Sequence, residues 1–191
     1  MSASGFTSIT NPDSEDVTWG VVIRNPNLGD YATTTTIQVD LLDESGRVVA
    51  SVHDSIGGIT AGGTGAVAGL LEDVPKARSM QIEQHVGHWE GSAAPNFSAG
   101  LDSRHPYHEG DRTVSLRVSN PFTSGMSMVR LVTIFHDGAG QVVGGNATII
   151  GCVPNTQALV QVPVPVDLQV ASVNGYASWT ADSRFGFESG C

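Results

Sequence analysis

The chain offers few side chains for chemistry, and the histidines come first. Its six histidines include two pairs spaced three apart, His85/His88 and His105/His108. On a strand, residues three apart point to opposite faces, so His85 and His88 do not share a metal ion. His105-Pro106-Tyr107-His108 reads instead as a loop, where a turn could bring both imidazoles together beside Glu109 or Asp111. Asp102, Glu109 and Asp111 offer a comparable oxygen set for calcium. Against both stands the plain reading of a solvated or interface loop, and that is the reading adopted. No metal or cofactor is expected, and His105, Tyr107 and His108 are carried forward as candidate interface residues. The two cysteines, Cys152 and Cys191, exclude a tetrathiolate zinc site within one chain. Either they form a disulfide, or Cys152 is a small buried residue and Cys191 a free terminal thiol. There is no Gly-x-Ser-x-Gly, Ser-x-x-Lys, His-Glu-x-x-His, phosphate loop or dinucleotide fingerprint, so no catalytic residues are assigned and a non-enzymatic role is expected.

The elements that must hold these residues are revealed by an internal repeat. Val39-Asp40-Leu41-Leu42-Asp43-Glu44-Ser45-Gly46-Arg47-Val48-Val49-Ala50 reads as strand, tight turn, strand. It returns as Thr133-Ile134-Phe135-His136-Asp137-Gly138-Ala139-Gly140-Gln141-Val142-Val143-Gly144, 94 positions later. Asp43 and Asp137 favour the turn through their own backbone, and Gly46 and Gly140 supply its positive φ. Upstream, the strand ending Ile23-Arg24-Asn25-Pro26 matches the one ending Val118-Ser119-Asn120-Pro121. Proline stops each strand because it has no N–H for the ladder. Downstream blocks follow in the same order and end at Trp89 and Trp179, both expected to pack in or at the edge of a core.

These blocks divide the chain into units at 1–91 and 97–191, with a short linker at 92–96 rich in small residues. Each unit shows about seven short alternating strands, turns every eight to twelve residues and no amphipathic helix. The expected fold is therefore all-β, two tandem immunoglobulin-like antiparallel β-sandwiches. In the central strand of the second unit, Leu131 and Phe135 take the inward positions. Val132 and Ile134 then face outward, which points to burial against the other unit or a partner, or else to two ordinary exposed aliphatics.

Charge narrows the function further. The formal net charge is −10, Lys76 is the single lysine, and the arginines are scattered. That speaks against nucleic acid and against electrostatic binding to anionic lipid. No run approaches a transmembrane helix, and Met1-Ser2-Ala3-Ser4-Gly5-Phe6 lacks a signal-peptide pattern. The expected location is extracellular or at the cell envelope, as a mature ectodomain with an added Met1; a cytoplasmic location stays open.

The sequence of strand-Asn-Pro, then Val39-Asp40-Leu41-Leu42-Asp43, then Gly46 and Val48-Val49, resembles FxLYD-type immunoglobulin-like domains. Thr133-Ile134-Phe135-His136-Asp137 stands at the same place in the second unit. The resemblance covers nearly the whole chain, twice. It implies a domain of bacterial, actinobacterial-type lipoproteins and secreted proteins, and it brings no catalytic residues. The expected function is a non-catalytic binding or adhesion module recognising a protein or glycan. The alternative is a structural subunit that self-assembles through sheet edges or the Val132/Ile134 face.

Overall fold

The computed structural model describes residues 3–10, 15–91, 96–165 and 167–179. All its regular structure is strand. The first unit contributes β1 (Ala3–Thr10), β2 (Glu15–Arg24), β3 (Tyr31–Ala32), β4 (Thr35–Leu42), β5 (Val48–Ile56), β6 (Thr64–Val74), β7 (Ser79–Val86) and β8 (Trp89–Glu90). The second contributes β9 (Ser98–Leu101), β10 (Thr113–Ser119), β11 (Met126–His136), β12 (Val142–Val153), β13 (Gln157–Pro163) and β14 (Ser172–Trp179). The sheets are β1-β2-β6 and β5-β4-β7 in the first unit, and β9-β10-β13 and β12-β11-β14 in the second. The first unit also has a small β3-β8 ribbon. Each unit is thus a sandwich of two three-stranded antiparallel sheets, with the same strand order in both. That is six main strands per unit among the described residues, where the sequence suggested about seven. The linker residues 92–95 lie outside the described residues.

Alternation builds each core. Val17, Trp19, Val21 and Ile23 of β2 point inward, as do Ile37, Val39 and Leu41 of β4, and all are buried. Leu116, Val118, Leu131 and Phe135 do the same in the second unit. The shared hairpin also repeats atom for atom. Asp43 Oδ1 accepts the N–H groups of Ser45 and Arg47 at 2.9 and 3.0 Å. Asp137 Oδ1 accepts those of Ala139 and Gln141, both at 2.9 Å. Gly46 and Gly140 have φ of 80° and 76°, a conformation that glycine adopts at no steric cost. Each hairpin carries a bulge at one matched step, between Leu41 and Leu42 and between Phe135 and His136.

Two expectations change at the end of the first unit. β7 stops at Val86, so His88 is not on a strand with His85. Its ring instead contacts Thr33 and, at 2.8 Å, Glu90. Trp89 was expected in or near the core, yet it is 45 % exposed. It sits on a ribbon of two residue pairs, too narrow to cover an indole. Trp179 does pack against the second core and lies 6.4 Å from the Phe122 ring.

Candidate functional site

The outer sheet faces decide what is available for binding. In the first unit most outward residues of β1, β2 and β6 are small, namely Ala3, Gly5, Thr7, Thr18, Gly20, Val22, Ala66 and Ala68, with Leu70 exposed beyond them. Against them lies the outer face of β12-β11-β14. Val132, Ile134 and Val142 form one buried cluster with Val22, Ala66 and Ala68, and Ala3, Ala147 and Tyr176 pack on it. Because the first face is so small, backbone meets backbone. A Cβ at Gly5 would stand 1.7 Å from the Val142 carbonyl oxygen, and one at Gly20 would stand 2.9 Å from that of Gly144.

Polar contacts hold the seam in register. Thr18 donates its hydroxyl to the Gly145 carbonyl at 3.0 Å and accepts the Gly145 N–H at 3.1 Å. Thr7 donates to the Val143 carbonyl at 2.7 Å. At the rim, Arg130 grips both carboxylate oxygens of Asp54 and donates to the Ser55 carbonyl, the bidentate geometry in which guanidinium–carboxylate pairs are strongest.

The Val132/Ile134 surface is therefore the joint between the two units of one chain. Val132 is 1 % and Ile134 0 % exposed. This corrects the idea that the face is free for self-assembly, since the first unit already covers it. The seam also pairs unlike faces, and such an interface could in principle add further units. The central strand at each open end is polar, however. Gln38 and Asp40 stand where the second unit has Val132 and Ile134, and Ser115 and Arg117 stand where the first has Gly20 and Val22. On the first of these ends, Gln38 and Ser51 donate to the Asp40 carboxylate, and a His53 ring nitrogen lies 3.1 Å from Gln38 Oε1.

The second distinctive feature is the loop between β9 and β10. It runs from 102 to 112, where the matching connection of the first unit spans only 11–14. Its base is Asp102, whose side chain is 1 % exposed. The carboxylate accepts from His105 Nδ1 at 2.9 Å and from Arg117 Nη2, while its backbone carbonyl accepts the His105 N–H at 3.0 Å. His105 foremost, with Arg117, holds the Asp102 carboxyl down at about 2. Tyr107 donates its hydroxyl to the Val170 carbonyl at 3.1 Å, and Asp111 accepts the His108 N–H at 2.8 Å.

His105, Tyr107 and His108 thus share one anchored loop, but in different roles. His105 and Tyr107 tie it down, while His108, Arg104 and Glu109 are exposed on its outside. Among the described residues no three His, Cys, Asp or Glu side chains gather to hold a metal ion. Asp102 in particular, considered above as a calcium ligand, is occupied by two cationic or donating partners. Sequence reasoning missed the Asp102–Arg117 pair, although a signal existed: Arg117 occupies the register position of buried Val22. Cys152 is disulfide-bonded, and Cys191 lies outside the described residues.

Comparison of the sequence with known protein families gives no match, and comparison with curated proteins gives none. Among solved structures, the chain is similar to red sea bream transglutaminase at 12 % identity, with a TM-score of 0.28. The alignment takes in 93 % of this chain and spans 29 % of that protein's length. The molecule is all-β, built from antiparallel sandwiches of immunoglobulin-like character. No helix among the described residues is long and apolar enough to cross a membrane.

Proposed function

We propose that the chain is a non-catalytic binding module that recognises a protein or glycan through the 102–112 loop, displayed on a rigid pair of FxLYD-like sandwiches. The observation that carries this reading is the Asp102 anchor. A loop much longer than the matching connection of the sister unit is locked at its base by a buried carboxylate, and its outer side chains are left in water. Fixing a loop before it binds lowers the ordering cost of association. An extracellular or cell-envelope setting is part of the proposal, supported by the disulfide at Cys152, since oxidising compartments preserve such bonds.

The test uses Arg104→Ala/His108→Ala, which removes exposed side chains and leaves the anchor intact. Wild type and variant are immobilised and probed with extracellular protein and glycan arrays. The expected result is a wild-type partner whose affinity falls by about tenfold or more in the variant, at unchanged thermal stability. The reading is abandoned if wild type retains no partner, or if the variant binds the same partners equally well.

A further inference from the structure

A groove runs along one side of the second unit, where β14 lies at the edge of its sheet and β9 at the edge of the other. Its inner part, about 200 Å³, opens into the seam between the units and is walled by residues of β6, β9 and β14. Its outer part, about 390 Å³, continues between β9 and β14. The two parts meet at Tyr176, Gly175 and Ala99, which line both.

The lining does not match the rest of the chain. The protein carries 19 acidic and 9 basic residues, yet every described residue of this groove is uncharged. Its polar side chains are Thr64, Asn96, Ser98, Asn174, Tyr176 and Ser178, all hydroxyls or amides that both donate and accept. Burial raises the Tyr176 phenol above its ordinary value, so at neutral pH its hydroxyl is a donor as well as an acceptor.

Three classes of ligand fare differently here. A charged one would lose water and meet no counter-charge, which is costly. A purely apolar one would cover six polar groups without pairing them, at a cost for each. A neutral chain bearing many hydroxyls can satisfy donors and acceptors alike. Clefts between domains, with a few convergent polar groups, are also where small ligands most often bind. We infer that the groove binds a neutral oligosaccharide, laid across Tyr176 from the seam onto the β9/β14 edges. This shares with the proposed function the reading of the chain as a binding module, but it uses a different surface from the 102–112 loop.

The experiment is a calorimetric and NMR titration of the whole chain. Its neutral probes are maltotetraose, cellotetraose, mannotetraose and chitotetraose; its charged controls are tetragalacturonate and a heparin tetrasaccharide. Two groove variants accompany it. Asn174→Ala removes an exposed amide of the lining and leaves the buried residues of β14 in place. Tyr176→Phe keeps the ring that packs in the seam and removes only the hydroxyl. At least one neutral probe is expected to bind with a dissociation constant of about 1 mM or tighter, and the acidic probes about tenfold more weakly. Both groove variants should weaken binding by about fivefold or more, while Arg104→Ala/His108→Ala leaves it unchanged. The inference is overturned if no neutral probe binds, if the acidic ones bind equally, or if Asn174→Ala has no effect. It is also overturned if an extended alanine-rich peptide takes the groove in place of the sugars. Loss of binding in the loop variant alone would keep the proposed function and discard the groove.

Discussion

Asn25 and Asn120, 95 positions apart, are the same structural pin used twice. Asn25 Nδ2 faces the carbonyls of Asp30, Ile59 and Thr60, and its Oδ1 accepts the Asn27 N–H. Asn120 Nδ2 faces those of Ser124, Val153 and Pro154, and its Oδ1 accepts the Phe122 N–H. Each is buried and ties the loop after one strand to the turn on the opposite sheet. The proline that follows stops the strand; the asparagine decides where the chain goes next. Asn25→Ala or Asn120→Ala strands several carbonyls and an N–H. Each should cost about 2–4 kcal/mol, read as a lower midpoint in urea unfolding. Equal costs in the two units would show that the pin works alike in both, and a cost near zero would remove it as a device of the fold.

The seam predicts a separable effect. Gly5 faces away from its own core, so Gly5→Val leaves the first sandwich intact and drives the units apart. Exposing Val132 and Ile134 should cost about 3 kcal/mol or more. It should also split urea unfolding into two transitions and increase the radius of gyration in small-angle scattering. A single transition with an unchanged radius would mean that the seam tolerates the side chain.

Thr133 holds the inward position that Val39 fills in the first unit. It is fully buried, and its hydroxyl has no hydrogen-bond partner among the described residues. Thr133→Val keeps the shape and removes the unpaired hydroxyl. It should stabilise the protein by about 1 kcal/mol, seen as a higher melting temperature. A loss of stability would place a water or other partner on that hydroxyl.

His136 gives the pH dependence a sign. Burial lowers its pKa below 6.5, outweighing the raising effects of the Ser172 backbone and Asp137, and its Nδ1 is buried with no partner among the described residues. The folded state therefore prefers the neutral ring. This contribution is complete above about pH 6.5, the unfolded value, and is lost as pH falls below it. Leu42 fills the matching place in the first unit, so His136→Leu should flatten the stability curve between about pH 7 and pH 5. An unaltered slope would assign the acid sensitivity elsewhere.

Asp102 acts at lower pH. Its carboxyl is held at about 2 by His105 and Arg117, so the anchor is complete above about pH 4, the unfolded value, and fails as pH falls toward 2. Asp102→Asn should loosen the loop at every pH, measured as faster amide exchange or proteolysis within 103–111. The rest of the second unit should be unchanged.

The sequence by itself determined the two units, their matched hairpins and the inward set of each strand. These follow from period-two alternation and from turn residues whose conformational demands are local. It also marked Val132 and Ile134 as an outward apolar pair, either covered by the other unit or a partner or simply exposed. It did not mark what covers them, because Ala3, Gly5, Gly20, Ala66 and Ala68 are too small to read as a hydrophobic face. Their value lies in letting two backbones approach, and that exists only when a second sheet is present. Asp102 read as a free carboxylate for the same kind of reason. Its partner Arg117 lies on the neighbouring strand, 15 positions away, and strand pairing sets that distance. The groove is further still from local pattern. Thr64 comes from the first unit, Asn96 from the linker and Tyr176 from the second unit, and only the docking of one sandwich on the other brings them to a common wall.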